Sequence, residues 1–163
     1  MALCLAVSLA LTLFWLGFIF SNSLKTGEES GEQSSKVHQV VNQVASALGA
    51  KEEISEDTVR KGAHFTEFAV LGFLVCLSIA SLWRILGGRR LSRLFAYSAL
   101  SLPVCALLAA VDEYLQTFSD GRSAEVADAL LDTAGAFVGL LAFVFLAWIL
   151  WRIAQSRSAA GKN

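Results

Sequence analysis

Proline occurs once in the whole chain, and no acidic or basic side chain interrupts the first twenty residues. With proline so scarce, few positions force a helix to break. Cysteine is nearly as sparse. Cys4, Cys76 and Cys105 form an odd, scattered set, each inside an apolar run. That excludes a disulfide framework and a C-x2-C metal site, and the three read as small apolar fillers. No glycine-rich nucleotide loop, nucleophile motif or basic nucleic-acid patch is present, so nucleotide-driven chemistry and nucleic-acid partners are set aside. Charged residues make up 17 % of the 163 positions and hydrophobic ones 55 %. A water-soluble domain of this size has too much surface for its volume to hide that apolar share.

The apolar residues fall in long blocks, and the solvent they call for is lipid. The expected fold is all-α: a single polytopic membrane domain over residues 1–163, built as a four-transmembrane-helix bundle. Residues 2–20 form the first span, about 28 Å long at 1.5 Å per residue. With no basic region before it and Phe-Ser-Asn-Ser after it, this span reads as an uncleaved anchor. The next stretch is Ser/Glu-rich, the only compositional bias in the chain. Within it Val37, Val40, Val41, Val44 and Leu48 recur at helical spacing and predict a short amphipathic helix packed on the bundle; His38 is read there as surface. Ser55 is the expected N-cap of a helix reaching about Trp83, with Glu56 and Asp57 in its first turn. Its membrane part is residues 64–83. Gly87-Gly88 supplies a turn, residues 94–111 form a third span kinked at Pro103, and Ser119-Asp120-Gly121 turns the chain again. Ser123 is the expected cap of a fourth helix whose span covers 134–151. Trp83, Trp148 and Trp151 suit a membrane interface.

Charge sets the orientation. All 14 Asp and Glu residues lie between Glu28 and Asp132, in the first and third connections or the adjoining helix ends. The second connection and the C-terminal tail carry seven basic residues (Arg84, Arg89, Arg90, Arg93, Arg152, Arg157 and Lys162) and no acid. Since Lys and Arg are retained in the cytoplasm, both termini are expected inside and the acidic connections outside.

Measured span by span, three helices bring ionisable residues to one depth at the acidic end. The second contributes Lys61, His64 and Glu67, the third Asp112, Glu113 and Gln116, and the fourth Asp128 and Asp132, with Arg122 between the last two. Asp128, Asp132, Gly135 and Gly139 fall within roughly 60° around a helix. Two carboxylates thus stand above a Gly-x-x-x-Gly surface that permits close helix contact. Such residues near a bilayer are costly and mark function by default. His64, Glu67, Asp112 and Glu113 are the candidate catalytic set, suited to acid/base work or to a divalent metal. Within it His64 and Glu113 are favoured. Lys61, Gln116, Arg122, Asp128 and Asp132 are the candidate substrate-binding set, with Arg122 placed for an anionic group.

These residues also carry a resemblance. Phe20-Ser21-Asn22-Ser23, then Ser30 and Ser34-Ser35, Lys61-x-x-His64-Phe65-x-Glu67-Phe68, and Asp112-Glu113-x-x-Gln116-x-Phe118-x-x-Gly121-Arg122 resemble the VanZ-like family of bacterial membrane proteins. Asp128-x-x-x-Asp132 and Gly135-x-x-x-Gly139 extend the likeness over most of the chain. Two positions depart from the family pattern. Asp120 stands where Pro often precedes the Gly-Arg pair, and Asp132 stands where Asn is common, adding a negative charge. The resemblance implies a bacterial cytoplasmic-membrane protein of the cell envelope, linked to low-level resistance to teicoplanin-type glycopeptides or to envelope homeostasis. Its ligand would be an envelope lipid or a glycopeptide-related molecule. Two alternatives remain open: a hydrolase or transferase acting on a lipid-linked envelope intermediate, and a non-catalytic interaction protein with a structural polar network. Transport is disfavoured, because four short spans without a broken-helix signal leave little room for alternating access.

Overall fold

The computed structural model describes residues 1–50, 52–88 and 90–160; Arg89 and Lys162, two of the expected basic residues, lie outside them. Six helices follow in order: α1 (Ala2–Ser23), α2 (Gly27–Ala47), α3 (Glu56–Ile85), α4 (Leu91–Ser98), α5 (Ser101–Gln116) and α6 (Val126–Ala160). Four segments are long and apolar enough to cross a membrane: Ala2–Ser23, Glu56–Ile85, Leu91–Gln116 and Val126–Arg157. The four-helix membrane bundle expected from the apolar blocks is therefore the fold.

α3 is the central element and touches every other helix. Its closest partner is α6, and glycine explains why. A Cβ added at Gly135 would collide with the Phe65 carbonyl, one at Gly139 with the Ala69 carbonyl, and one at Gly72 with the Ala136 carbonyl. Small residues on both helices let the two backbones touch, which is how helices associate where lipid gives no hydrophobic drive. Ile19, Phe68, Leu71, Cys105, Ala109 and Ala136 form the buried core between α1, α3, α5 and α6. Cys76 and Cys105 are buried fillers as expected, whereas Cys4 is exposed on α1.

Two expectations need correction. The amphipathic helix is 21 residues, not short, because Thr26 and Glu29 build a capping box that starts it ahead of the valines. His38 is no free surface residue: its Nε2 is 2.8 Å from the Ile54 carbonyl, and Asn42 exchanges two further hydrogen bonds with Ile54. Together they clasp α2 to the start of α3. The third span bends near Pro103 as expected: α4 ends at Ser98 and α5 begins at Ser101, with Ala99 and Leu100 between them still in right-handed helical conformation, and the two run as one apolar segment, Leu91–Gln116. Pro103 has no N–H for the Ala99 carbonyl, which accepts instead from Leu102 N at 3.2 Å. Ser55 does cap α3, accepting from Thr58 N at 3.2 Å. At the other end of the bundle Trp83 packs on Tyr97, with ring centroids 4.8 Å apart. Arg152 lies 6.0 Å from the Trp148 ring. The basic "tail" is helical through Arg157, a continuation of α6.

Candidate functional site

Four polar residues of the acidic end each lie one helical turn from a fully buried core residue on the same helix. Ser23 stands above Ile19, His64 above Phe68, Asp112 above Ala109 and Asp132 above Ala136. Residues three or four apart share a helix face, so the faces that build the core also aim these side chains at one point. The site is thus the polar lid of the apolar core.

Asp112 and Asp132 are completely buried, and Glu113 and Gln116 nearly so. Asp112 is well served: Ser23 Oγ donates to its Oδ1 at 2.6 Å and Gln116 Nε2 to its Oδ2 at 3.3 Å. Glu113 accepts from Gln116 Nε2 at 3.0 Å and, through Oε2, from the Glu125 backbone N–H at 2.8 Å. That carboxylate, rather than Ser123, satisfies the N-terminal donor that opens α6, where the helix dipole favours negative charge. Glu113 is thereby tied into the fold at the start of α6. Glu67 Oε1 accepts from Asn22 Nδ2 at 3.2 Å, and its backbone carbonyl accepts from Trp15 Nε1 at 2.9 Å.

Asp132 is treated differently. Among the described residues neither of its carboxylate oxygens has a hydrogen-bond partner, and Oδ2 faces His64 Nδ1 at 3.8 Å, beyond hydrogen-bond reach. His64, Asp112 and Asp132 each offer a donor atom such that all three atoms lie within 4.8 Å of one another. Of the residues weighed for a metal from sequence, this geometry keeps His64 and Asp112, adds Asp132 and leaves out Glu67 and Glu113.

The two arginines lie on the open side. Arg122 Nη1 donates to the Asn22 and Ser23 carbonyls at 3.3 Å each, against the C-terminal end of α1. Its guanidinium pKa is lowered by burial first and by the neighbouring charge of Arg60 second. Arg60 is a site residue that the sequence reading missed. The signal was available: Arg60, His64 and Glu67 follow i, i+4, i+7 on one face of α3. Arg60 also pairs with Asp57 at 2.9 Å. Lys61 holds Asp57 at 3.0 Å and reaches Asp128 at 4.0 Å, so these two form the outer rim of the site.

The open space has three neighbouring parts that share lining residues in turn. A polar cavity of about 340 Å³ lies among Ser30, Ser34, Arg60, Arg122 and Asp128. A second, about 200 Å³, shares Ser30, Ser34, Arg60 and Arg122 with it and continues to His64 and Glu67. The third is an apolar slot of about 580 Å³ that shares Phe18, Val37, Val59, Ala63 and Glu67 with the second and opens between α1, α2 and α3. A narrow throat of about 10 Å³, lined by His64, Asp132 and Arg122, leads inward.

The sequence settles the kinship. A family model described as VanZ/LLP1 matches residues 8–150, which reaches into all four membrane helices and includes every residue of the site. The chain belongs to the VanZ/LLP1 family. No curated protein and no solved structure matches it. Membership in VanZ/LLP1, together with four apolar spans, makes it a multi-pass membrane protein. In this VanZ/LLP1 chain the family stretches Asn22-Ser23, His64 to Phe68 and Asp112 to Arg122 meet in space around the pocket.

Proposed function

We propose that this VanZ/LLP1 protein works at the extracytoplasmic face of a bacterial cytoplasmic membrane. There its pocket takes the anionic headgroup of an envelope amphiphile and so alters sensitivity to teicoplanin-type glycopeptides. The observation that carries this reading is the shared lining of adjoining cavities. Two guanidiniums, Arg60 and Arg122, line both the polar cavity and the space beside it, and that space shares Phe18, Val37, Val59, Ala63 and Glu67 with the apolar slot. A phosphate suits paired guanidiniums, and a lipid chain suits a slot lined by Trp15, Phe18, Val37, Val41 and Val59. An aqueous metabolite would have no use for the slot, and a plain hydrocarbon none for the arginines. The acidic end is outside by the retention of Lys and Arg in the cytoplasm.

Its test pairs binding with phenotype. Purified protein in nanodiscs is titrated with a prenyl phosphate and with the matching prenyl alcohol. The phosphate binds at least about tenfold tighter, in keeping with charge-assisted hydrogen bonds, and Arg60→Ala with Arg122→Ala abolishes that preference. In cells the same pair changes sensitivity to glycopeptides at unchanged membrane abundance. Equal binding of alcohol and phosphate, or a phenotype that tracks abundance alone, overturns the reading. A second reading, a structural network that only stiffens the bundle, draws on the mutual pairing of Asn22 with Glu67, Ser23 with Asp112 and Gln116 with Glu113. It predicts the abundance-limited outcome.

A further inference from the structure

Asp132 is a buried carboxylate that the fold leaves without a donor. Its side chain is 1 % exposed, and both oxygens lack partners while Asp112, at the same level, has two donors. A buried charge is ordinarily paired or bound to a metal. Serine, asparagine and lysine side chains stand at this end of the bundle, yet among the described residues none donates to Asp132. What faces it is His64 Nδ1, at 3.8 Å.

We propose that His64, Asp112 and Asp132 bind one divalent transition-metal cation, with Zn²⁺ or Mn²⁺ as the fitting class. Their three donor atoms lie within 4.8 Å of one another. Ligand atoms sharing an ion with bonds of about 2.0–2.2 Å stand about 3–4.4 Å apart, so small side-chain rotations close the shell. One imidazole among carboxylates selects against Mg²⁺ and Ca²⁺, which prefer all-oxygen sites. Two carboxylates balance a dication, so the assembled centre is neutral in a region of low dielectric. Ser23 and Gln116 already hold Asp112 by its oxygens, as outer partners hold metal ligands elsewhere. Three protein ligands leave coordination positions open. The throat of about 10 Å³ beside His64 and Asp132 has room for about one water or ion. The site stands on its own residues and does not rest on the amphiphile reading, since neither arginine is a ligand.

The experiment uses the full chain in detergent or nanodiscs, stripped with a chelator and titrated with Zn²⁺, Mn²⁺ and Co²⁺. Wild type binds one ion per chain by elemental analysis after desalting, and Co²⁺ gives a visible spectrum of mixed nitrogen and oxygen ligation. The metal also raises its unfolding temperature. Asp132→Asn, which keeps the side-chain shape, weakens binding at least about 100-fold and abolishes the thermal shift; outer-partner changes alone cost about 10- to 100-fold. Arg60→Ala with Arg122→Ala keeps metal binding while losing the preference for prenyl phosphate, so failure of one proposal is separable from failure of the other. Folded wild type that binds no stoichiometric ion at about 1 mM overturns the proposal. So does an Asp132→Asn variant that binds as wild type does. Should the variant fail to fold, the wild-type stoichiometry and Co²⁺ spectrum alone decide.

Discussion

At the scale of single residues, the site is a study in which buried groups are satisfied. Ser23 donates the shortest side-chain hydrogen bond to Asp112, at 2.6 Å, and both residues are fully buried. Ser23→Ala therefore strands a carboxylate oxygen, at a cost of about 1–3 kcal/mol. The outcome is a lower unfolding temperature in detergent; an unchanged value contradicts the assignment. Glu113 carries two donors, one of them the backbone N–H that opens α6. In Glu113→Gln the new amide has only one acceptor oxygen for two donors, and its NH2 meets Gln116 Nε2. We expect a loss of about 1 kcal/mol and faster amide exchange over residues 125–129, with little change in the core. The sequence announced the carboxylates, because ionisable residues at a span boundary are conspicuous. It could not announce which were satisfied. Asp112 and Asp132 are both aspartates at a span boundary, and what separates them is Gln116 one turn along the same helix, visible in sequence, and Ser23 on a distant helix, which is not.

At the scale of elements, the α3–α6 contact positions the whole centre. His64 and Asp132 come from these two helices, and their 3.8 Å separation depends on backbones that touch at Gly72, Gly135 and Gly139. Gly139→Leu places a side chain where the Ala69 carbonyl stands, and Gly135→Val one where the Phe65 carbonyl stands. Backbone cannot yield as a side-chain tip does, so the helices separate, at a cost of at least about 1–3 kcal/mol. The folded fraction recovered by size-exclusion chromatography falls sharply. Gly31→Ala and Gly62→Ala are the controls. Both stand in helices with nothing within 4 Å of an added Cβ, and each gains up to about 1 kcal/mol of helix propensity. This contact was legible beforehand, since Asp128, Asp132, Gly135 and Gly139 share a helix face. The length of α2 was not, because Ser/Glu-rich stretches look like solvated loops until the Thr26–Glu29 capping box is noticed. The bend near Pro103 was legible from the proline, but not how the freed Ala99 carbonyl is satisfied, which is by Leu102 N.

At the scale of the whole molecule, the outstanding question is which way the bundle faces. Every acid lies at or between the ends of α2, α3, α5 and α6 that surround the pocket, while Arg84, Arg90, Arg93, Arg152 and Arg157 lie toward the other end. Net charge is only −1, so the asymmetry is one of placement rather than of total. Translocating Lys or Arg is unfavourable and short loops obey this most strictly. The connection between α3 and α4 is such a loop. In a background where Cys4, Cys76 and Cys105 are serine, single cysteines at Asp120 and Glu52 are expected to react with a membrane-impermeant maleimide on intact cells. A cysteine at Leu86, which is well exposed on the hairpin side, is expected to react only after the membrane is permeabilised. The reverse pattern would put the arginine-lined pocket in the cytoplasm and remove envelope amphiphiles of the outer leaflet as its ligands. The metal centre would stand even then, because its three ligands are fixed by helix packing and are indifferent to which compartment the pocket opens on.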